Sequence, residues 1–199
     1  MNLHERGRVK LIPASLLLEA YCTGVFPMAM EDGEIGWFSP DPRGIIPLSA
    51  FHIPHGLKRV LKKRVFELRF NTAFEAVMRA CAKRTETWIS EQIIRSYVNL
   101  HQLGFAHSVE AWQGDELAGG LYGVSIHGAF FGESMFHRVP DASKVALVEL
   151  VNRLNAQGFR LLDTQYVNEH LKQFGATEIS RPTYLRLLKA ALAIECKFV

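Results

Sequence analysis

The chain has 199 residues, 48% of them apolar and 22% charged, with a formal net charge of +3. This composition excludes a disordered chain and leaves enough length to bury a full core, as one domain or one plus a small appendage. No run approaches the ~18 apolar residues of a membrane span, and the start MNLHERGRVK is too polar for a secretory signal, so a cytoplasmic protein is expected.

Residues 14–23, ASLLLEAYCT, read as a short helix stopped by Gly24. The following stretch, VFPMAMEDGEIGWFSPDPRGIIPL, is rich in proline, glycine and acidic residues and predicts turns and short strands. Together these suggest a small N-terminal lobe over residues 1–50, with the main domain over 51–199. The segment LKRVLKKR holds five of the 23 lysines and arginines; it suits either a polyanion such as RNA or a solvated helix face. His52 and His55 form only an HxxH pair, too few ligands for a metal site.

FELRFN then reads as a strand, AFEAVMRACAK as a helix, and SEQIIRSYVNLHQLG as a helix capped by Ser90 and stopped at Gly104. From HSVEAWQ onward the period becomes two. GDE makes a turn, and LAGGLYGVSIHGAFFGESMF gives two strands reversing at His127 and Gly128, a β-meander. ASKVALVELVNRLNAQG is the clearest helix, with Leu147, Leu150, Val151 and Leu154 on one face. Strand FRLLDTQ, short helix NEHLKQFG, strand ATEIS and helix RPTYLRLLKAALAI complete the order. Cys22, Cys81 and Cys196 are far apart, with no CxxC, and are expected to be buried thiols.

Two places carry polar groups where an apolar strand is expected. In GAFFGESMF, Glu133 lies among Phe130, Phe131, Met135 and Phe136, and burial of an unpaired charge is costly. Strict alternation puts it with Phe131 and Met135, opposite Phe130 and Ser134, unless a bulge near Gly132 changes the phase. In RLLDTQ, alternation puts Leu161, Asp163 and Gln165 on one face, where the polar pair either caps the next helix or serves chemistry.

The meander, helix, strand and NxxHLKxxGA sequence resembles the N-acetyltransferase superfamily. The implied fold is an α/β (α+β) GNAT-like core with a mixed sheet flanked by helices. Acetyl-CoA enzymes cradle the pyrophosphate with a glycine-rich loop, whereas this chain has HRVPDASK at that place, which disfavours CoA as donor. The ordered motifs WFSPDPRG, CAKRTETWI, LHQLGFAHSVEAW, LAGGLYGV, FFGESMF, ASKVAL and LLDTQYVNEHLKQFGA closely resemble the leucyl/phenylalanyl-tRNA-protein transferase family over roughly residues 16–185. It departs from the family pattern at Met28, where tryptophan is common, and in beginning close to the first helix.

That resemblance implies an aminoacyltransferase moving Leu or Phe, and less well Met, from aminoacyl-tRNA to the N-terminal Arg or Lys of a protein, tagging it for degradation by the N-end rule. Its implied reaction centre is Glu133, Asp163 and Gln165, and its aminoacyl pocket Phe130, Tyr97, Leu121, Leu147 and Leu162. Trp37, Phe38, Trp88 and Ser134 are implied at the tRNA 3′ end. Lys62, Lys63, Lys83 and Arg84 are the candidates for phosphate contacts. Gln165 is expected to orient the attacking amine, with Asp163 fixing its amide, and Glu133 to attract the acceptor's cation. Aminolysis of an ester needs no metal or organic cofactor, so none is expected, and the enzyme is expected to be monomeric. The alternatives are a CoA-dependent N-acetyltransferase and a non-catalytic RNA-binding protein.

Overall fold

The computed structural model describes residues 10–199. The polar segment 1–9, read above as no secretory signal and as the start of the N-terminal lobe, lies outside the described residues. Helix α1 (Ala14–Cys22) is terminated at Gly24, whose φ of +78° a side chain would strain. A hairpin of β1 (Phe26–Ala29) and β2 (Ile35–Phe38) follows as its own two-stranded sheet. The next strand, β3 (Arg43–Ile46), leaves that hairpin and joins the large sheet, so residues 43–46 are built into the main core.

The basic segment forms α2 (His55–Lys63), which begins directly after Pro54 and buries only Leu57, leaving Lys62 and Lys63 in solvent. Then come β4 (Glu67–Phe70), α3 (Phe74–Ala82) and α4 (Glu91–Gln102). Ser90 caps α4 by accepting from the Ile93 N–H, as its sequence predicts. The meander is β5 (Ala106–Gln113), β6 (Glu116–Ile126) and β7 (Ala129–His137). Helix α5 (Ala142–Ala156) leads to β8 (Leu161–Gln165), α6 (Glu169–Lys172), β9 (Thr177–Ile179) and α7 (Arg181–Leu192).

The large sheet is mixed, in the order β4-β5-β6-β7-β8-β3-β9; β7 and β8 run parallel and the other pairs antiparallel. A parallel pair needs a long crossover, and α5 provides it. Helices cover both faces. One core joins α1, α3, α4 and α7 through Leu17, Tyr21, Val77, Tyr97 and Leu188 to Tyr122 and Phe131 of the sheet. The other joins α2 and α5 through Leu57, Leu147 and Leu154 to Leu121, Phe130 and Leu162. The cysteines are not uniformly buried: Cys81 is enclosed in α3, Cys196 is half-buried, and Cys22, at the last position of α1 on its solvent side, is exposed.

Candidate active site

The parallel ladder between β7 and β8 is short. Its last pair is Phe131 with Asp163, after which β7 continues to His137 while β8 turns away at Gln165. The gap between the diverging strands is a cavity of about 890 Å³, lined by residues 132–138 on one side and by Leu162, Thr164, Gln165 and Tyr166 on the other.

An irregularity on each strand shapes that gap. On β7, Tyr122 pairs with Ser134 but Gly123 pairs with Gly132, so Glu133 is the inserted residue of a β-bulge. The predicted break in alternation is therefore present, with a different consequence from the one expected. Glu133 stays on the α1 side, and the phase flips after it. Ser134 now shares the face of Tyr122, and Met135 the face of Leu121. Gly123 permits this, because a Cβ there would fall on the Phe131 carbonyl and the Phe130 ring. On β8, Gly44 of β3 pairs with Gln165 and Ile45 with Asp163, leaving Thr164 inserted. Gln165 takes a left-handed φ of 57°. The chain then folds over Gly44, where a Cβ would come within 2.7 Å of the Tyr166 backbone.

Glu133 sits at the floor of the cavity. Tyr21 donates to its Oε1 at 2.7 Å, and the Tyr21 hydroxyl is itself hydrogen-bonded to that of Tyr97. Gln165 Nε2 faces the same oxygen at 3.4 Å, which leaves the Gln165 carbonyl oxygen free toward the cavity. One edge of Glu133 is open, yet the protein packed around it pushes its carboxyl up to about 8. Burial is the main cause and the Asp163 charge adds to it, while the Tyr21 hydrogen bond and Arg43 act the other way.

Asp163 is fully buried and fully partnered. Arg43 binds it through two nitrogens, at 3.0 and 2.7 Å, Tyr184 donates at 2.6 Å, and the Gln165 backbone N–H donates at 2.8 Å. The Arg43 guanidinium also donates to the Gly24 carbonyl and lies over the Tyr184 ring. Asp163 therefore holds the Gln165 backbone in its left-handed turn, and not the side-chain amide as the sequence suggested. Nor does the pair cap the next helix, because Asn168 caps α6 by accepting from the Leu171 N–H.

Leu121, Leu147 and Leu162 form an apolar wall of the cavity with Met135 and Leu150. Phe130 and Tyr97 are fully buried and do not line it. Phe130 backs the wall against Phe198, and Tyr97 stands behind Tyr21 in the opposite core. Trp88 and Ser134 do line it, as do Lys83 and Arg84 at its exposed rim. Arg84 donates to the Met135 carbonyl at 2.5 Å, tying the end of α3 to β7. Trp37 and Phe38 lie on the hairpin outside the lining, with Phe38 packed on Phe26, which reaches the cavity beside Met28. Lys62 and Lys63 are on α2, away from the cavity lining. Among the described residues no cluster of three or more His, Cys, Asp and Glu is placed to hold a metal.

Sequence reasoning missed Arg43, Tyr21 and Tyr184, which hold the two carboxylates. The signal was present for Arg43: an aspartate inside the apolar run LLDTQ requires a buried cation, and RGII is a short apolar strand headed by one.

A cavity between diverging strands, with an apolar wall on one side and on the other a carboxyl pushed up to about 8 beside a free amide oxygen, suits a group-transfer enzyme. The chain belongs to the leucyl/phenylalanyl-tRNA protein transferase family. The family model of that description matches residues 45–189, and the model of the family's N-terminal domain matches residues 12–41. A relative named leucyl/phenylalanyl-tRNA–protein transferase from Paramagnetospirillum magneticum is 60% identical over 188 residues, covering 92% of this chain and 90% of the relative. One of the same name from Gloeobacter violaceus is 56% identical over 191 residues, covering 96% and 98%. A solved structure titled "The structure of L-PGS from Bacillus licheniformis" overlays with a TM-score of 0.45 at 11% identity, covering 76% of this chain and 65% of that one. That likeness is too low to define a shared fold.

Proposed function

We propose that this protein transfers Leu or Phe, and Met less well, from aminoacyl-tRNA to the N-terminal Arg or Lys of an acceptor protein, marking it for N-end-rule degradation. The observation that carries the chemistry is Glu133, a carboxyl pushed up to about 8 at the floor of an apolar cavity. An α-amine ordinarily titrates at about 7.7 to 8.0. Proton transfer from the acceptor's ammonium to Glu133 is then nearly balanced, the condition under which a general base works best at neutral pH.

The Gln165 carbonyl oxygen accepts from the amine and aims its lone pair at the ester carbon. The N–C bond forms as the ester C–O bond breaks; the ammonium gives up two protons in all, the first to Glu133 and the second to the departing ribose oxygen, which leaves as a hydroxyl. Most of the acceleration comes from alignment in the cleft, because aminolysis of an ester is already downhill. Asp163 acts at one remove, by fixing the backbone of Gln165 through its Arg43 ion pair.

Leu121, Leu147, Leu162 and Met135 would receive the aminoacyl side chain, with Phe130 supporting them from behind. Trp88 and Ser134 would meet the tRNA 3′ end, with Trp37 and Phe38 acting through the hairpin. Lys83 and Arg84 would contact phosphates near the cavity and Lys62 and Lys63 those further along the acceptor stem. The splayed parallel pair supports a GNAT-type core, with the hairpin and α1 as a smaller N-terminal unit. Incubation with labelled Leu-tRNA and peptides beginning with Arg, Lys or Ala tests the function. Transfer to the first two alone is expected; tRNA binding without transfer would leave the RNA-binding reading.

A further inference from the structure

Tyr166 follows Gln165 directly, lines the cavity and is 53% exposed. The fold fixes its backbone: its N–H donates to the Thr164 carbonyl at 2.6 Å, and the chain passes so close over Gly44 that a Cβ there would come within 2.7 Å. Its ring stands at 88° to that of Phe26, 6.2 Å between centroids, a contact that occupies at most one of its faces. Most other aromatic rings of the lining are already engaged. Arg43 lies over Phe26 and Arg138 over Phe136, while Tyr122 is fully buried. Trp88 and Tyr166 are left to meet a guest.

Charge separates the two. Trp88 lies on the same loop as Lys83 and Arg84, and Arg84 is tied to β7 through the Met135 carbonyl, so that side of the cavity suits an anionic guest. Tyr166 stands on the β8 side beside Phe26, and the segment that carries Phe26, residues 11–42, has five acidic residues and no lysine or arginine. A cation entering the cavity is repelled from the first side and drawn to the second. Glu133 is the single carboxylate among the described residues that line the cavity, and the acceptor's α-ammonium engages it. The acceptor's second positive charge, on its Arg or Lys side chain, needs a different partner. Its amine is held at Gln165, the chain neighbour of Tyr166, and consecutive Cα atoms are about 3.8 Å apart, well within the reach of a long, flexible side chain. We infer that the Tyr166 ring receives the cationic side chain of the acceptor's first residue in a cation–π contact and so selects Arg or Lys. This rests on the function proposed above and adds a specificity residue for its acceptor.

The experiment compares Tyr166→Leu and Tyr166→Phe with the unaltered full-length protein, at saturating Leu-tRNA, on peptides that begin with Arg, Lys or citrulline, the neutral isostere of Arg. Leucine keeps an apolar side chain but has no π face, and Tyr166→Leu is expected to raise KM for the Arg and Lys peptides about 3- to 30-fold. It should leave the citrulline peptide, the KM for Leu-tRNA and the melting temperature nearly unchanged, because the ring is exposed and only the cation depends on its face. Phenylalanine retains the face, so Tyr166→Phe should keep most of the affinity for Arg and Lys. An unchanged KM for the Arg peptide in Tyr166→Leu would overturn the contact. So would equal losses on the Arg and citrulline peptides, or a loss by Tyr166→Phe as large as that by Tyr166→Leu. A rise confined to the KM for Leu-tRNA would overturn it too, and give the ring to a base of the tRNA. No transfer by the unaltered protein to any of the peptides would instead overturn the proposed function, and this inference with it.

Discussion

Replacing Glu133 by glutamine should change the way stability depends on pH. A carboxyl that ordinarily titrates near 4.5 and is pushed up to about 8 in the folded chain binds its proton more tightly when folded than when unfolded. Stability from this group is therefore complete below about 4.5, falls as pH rises, and has been lost by about 8 to 9. The interval is about 3.5 pH units at about 1.36 kcal/mol each, so a dry site would lose about 5 kcal/mol across it, of which about 3 kcal/mol would be gone by pH 7. Glu133 is open to the cavity along one edge, and water there screens its charge, so a span of about 2 to 4 kcal/mol is expected. Glutamine resembles the protonated form and carries no such slope. Urea unfolding of both proteins at pH 5, 7 and 9 isolates the effect, because every other titrating group cancels in the difference. The variant should be close to the unaltered protein at pH 5 and clearly more stable at pH 9. A difference that does not change with pH would refute the placement of this carboxyl. Transfer by the unaltered protein should rise with pH through an apparent pKa near 8, and the variant should lose that limb together with most of its rate.

Arg43→Met leaves Asp163 as an unpaired buried charge and should destabilise the fold by about 3 to 5 kcal/mol, read by thermal unfolding; a loss under about 1 kcal/mol would contradict the ion pair as the anchor. Gly123→Ala drives a methyl group into the Phe131 carbonyl opposite the bulge. It should cost about 1 to 3 kcal/mol and lower transfer with it, so full activity at unchanged stability would show that the bulge tolerates a side chain. Lys83→Ala with Arg84→Ala should weaken tRNA binding and reduce the slope of log affinity against log salt by about 0.7 to 0.9 for each phosphate no longer neutralised; an unchanged slope would remove both from the tRNA interface. Leu-tRNA should be preferred to Val-tRNA by about 10- to 200-fold, the reach of apolar shape alone, and indifference between them would speak against the leucine-lined wall.

Most of the secondary structure was legible locally. The Ser90 cap, the Gly24 and Gly104 stops and the His127–Gly128 reversal act through neighbours a few residues away, and their signals survive in an isolated stretch of chain. The two polar anomalies were legible for the same reason: an acidic side chain within an apolar strand stands out whatever surrounds it. The partners of those side chains were not. Arg43 is 120 residues from Asp163, and Tyr21 is 112 residues from Glu133, separations at which no periodicity operates.

The sequence alone determined the elements, their order, the family resemblance and the identity of Glu133, Asp163 and Gln165 as the residues to watch. Tertiary structure decided which of them is free to act. Asp163 and Glu133 are both carboxylates in apolar strands, but Asp163 meets a guanidinium and two further donors and becomes an anchor. Glu133, inserted by a bulge between a tyrosine and an open cavity, remains short of compensating charge and close to neutrality. The difference is one of desolvation against available partners, and the chain sets that balance only when β3, α1 and α7 close around the sheet.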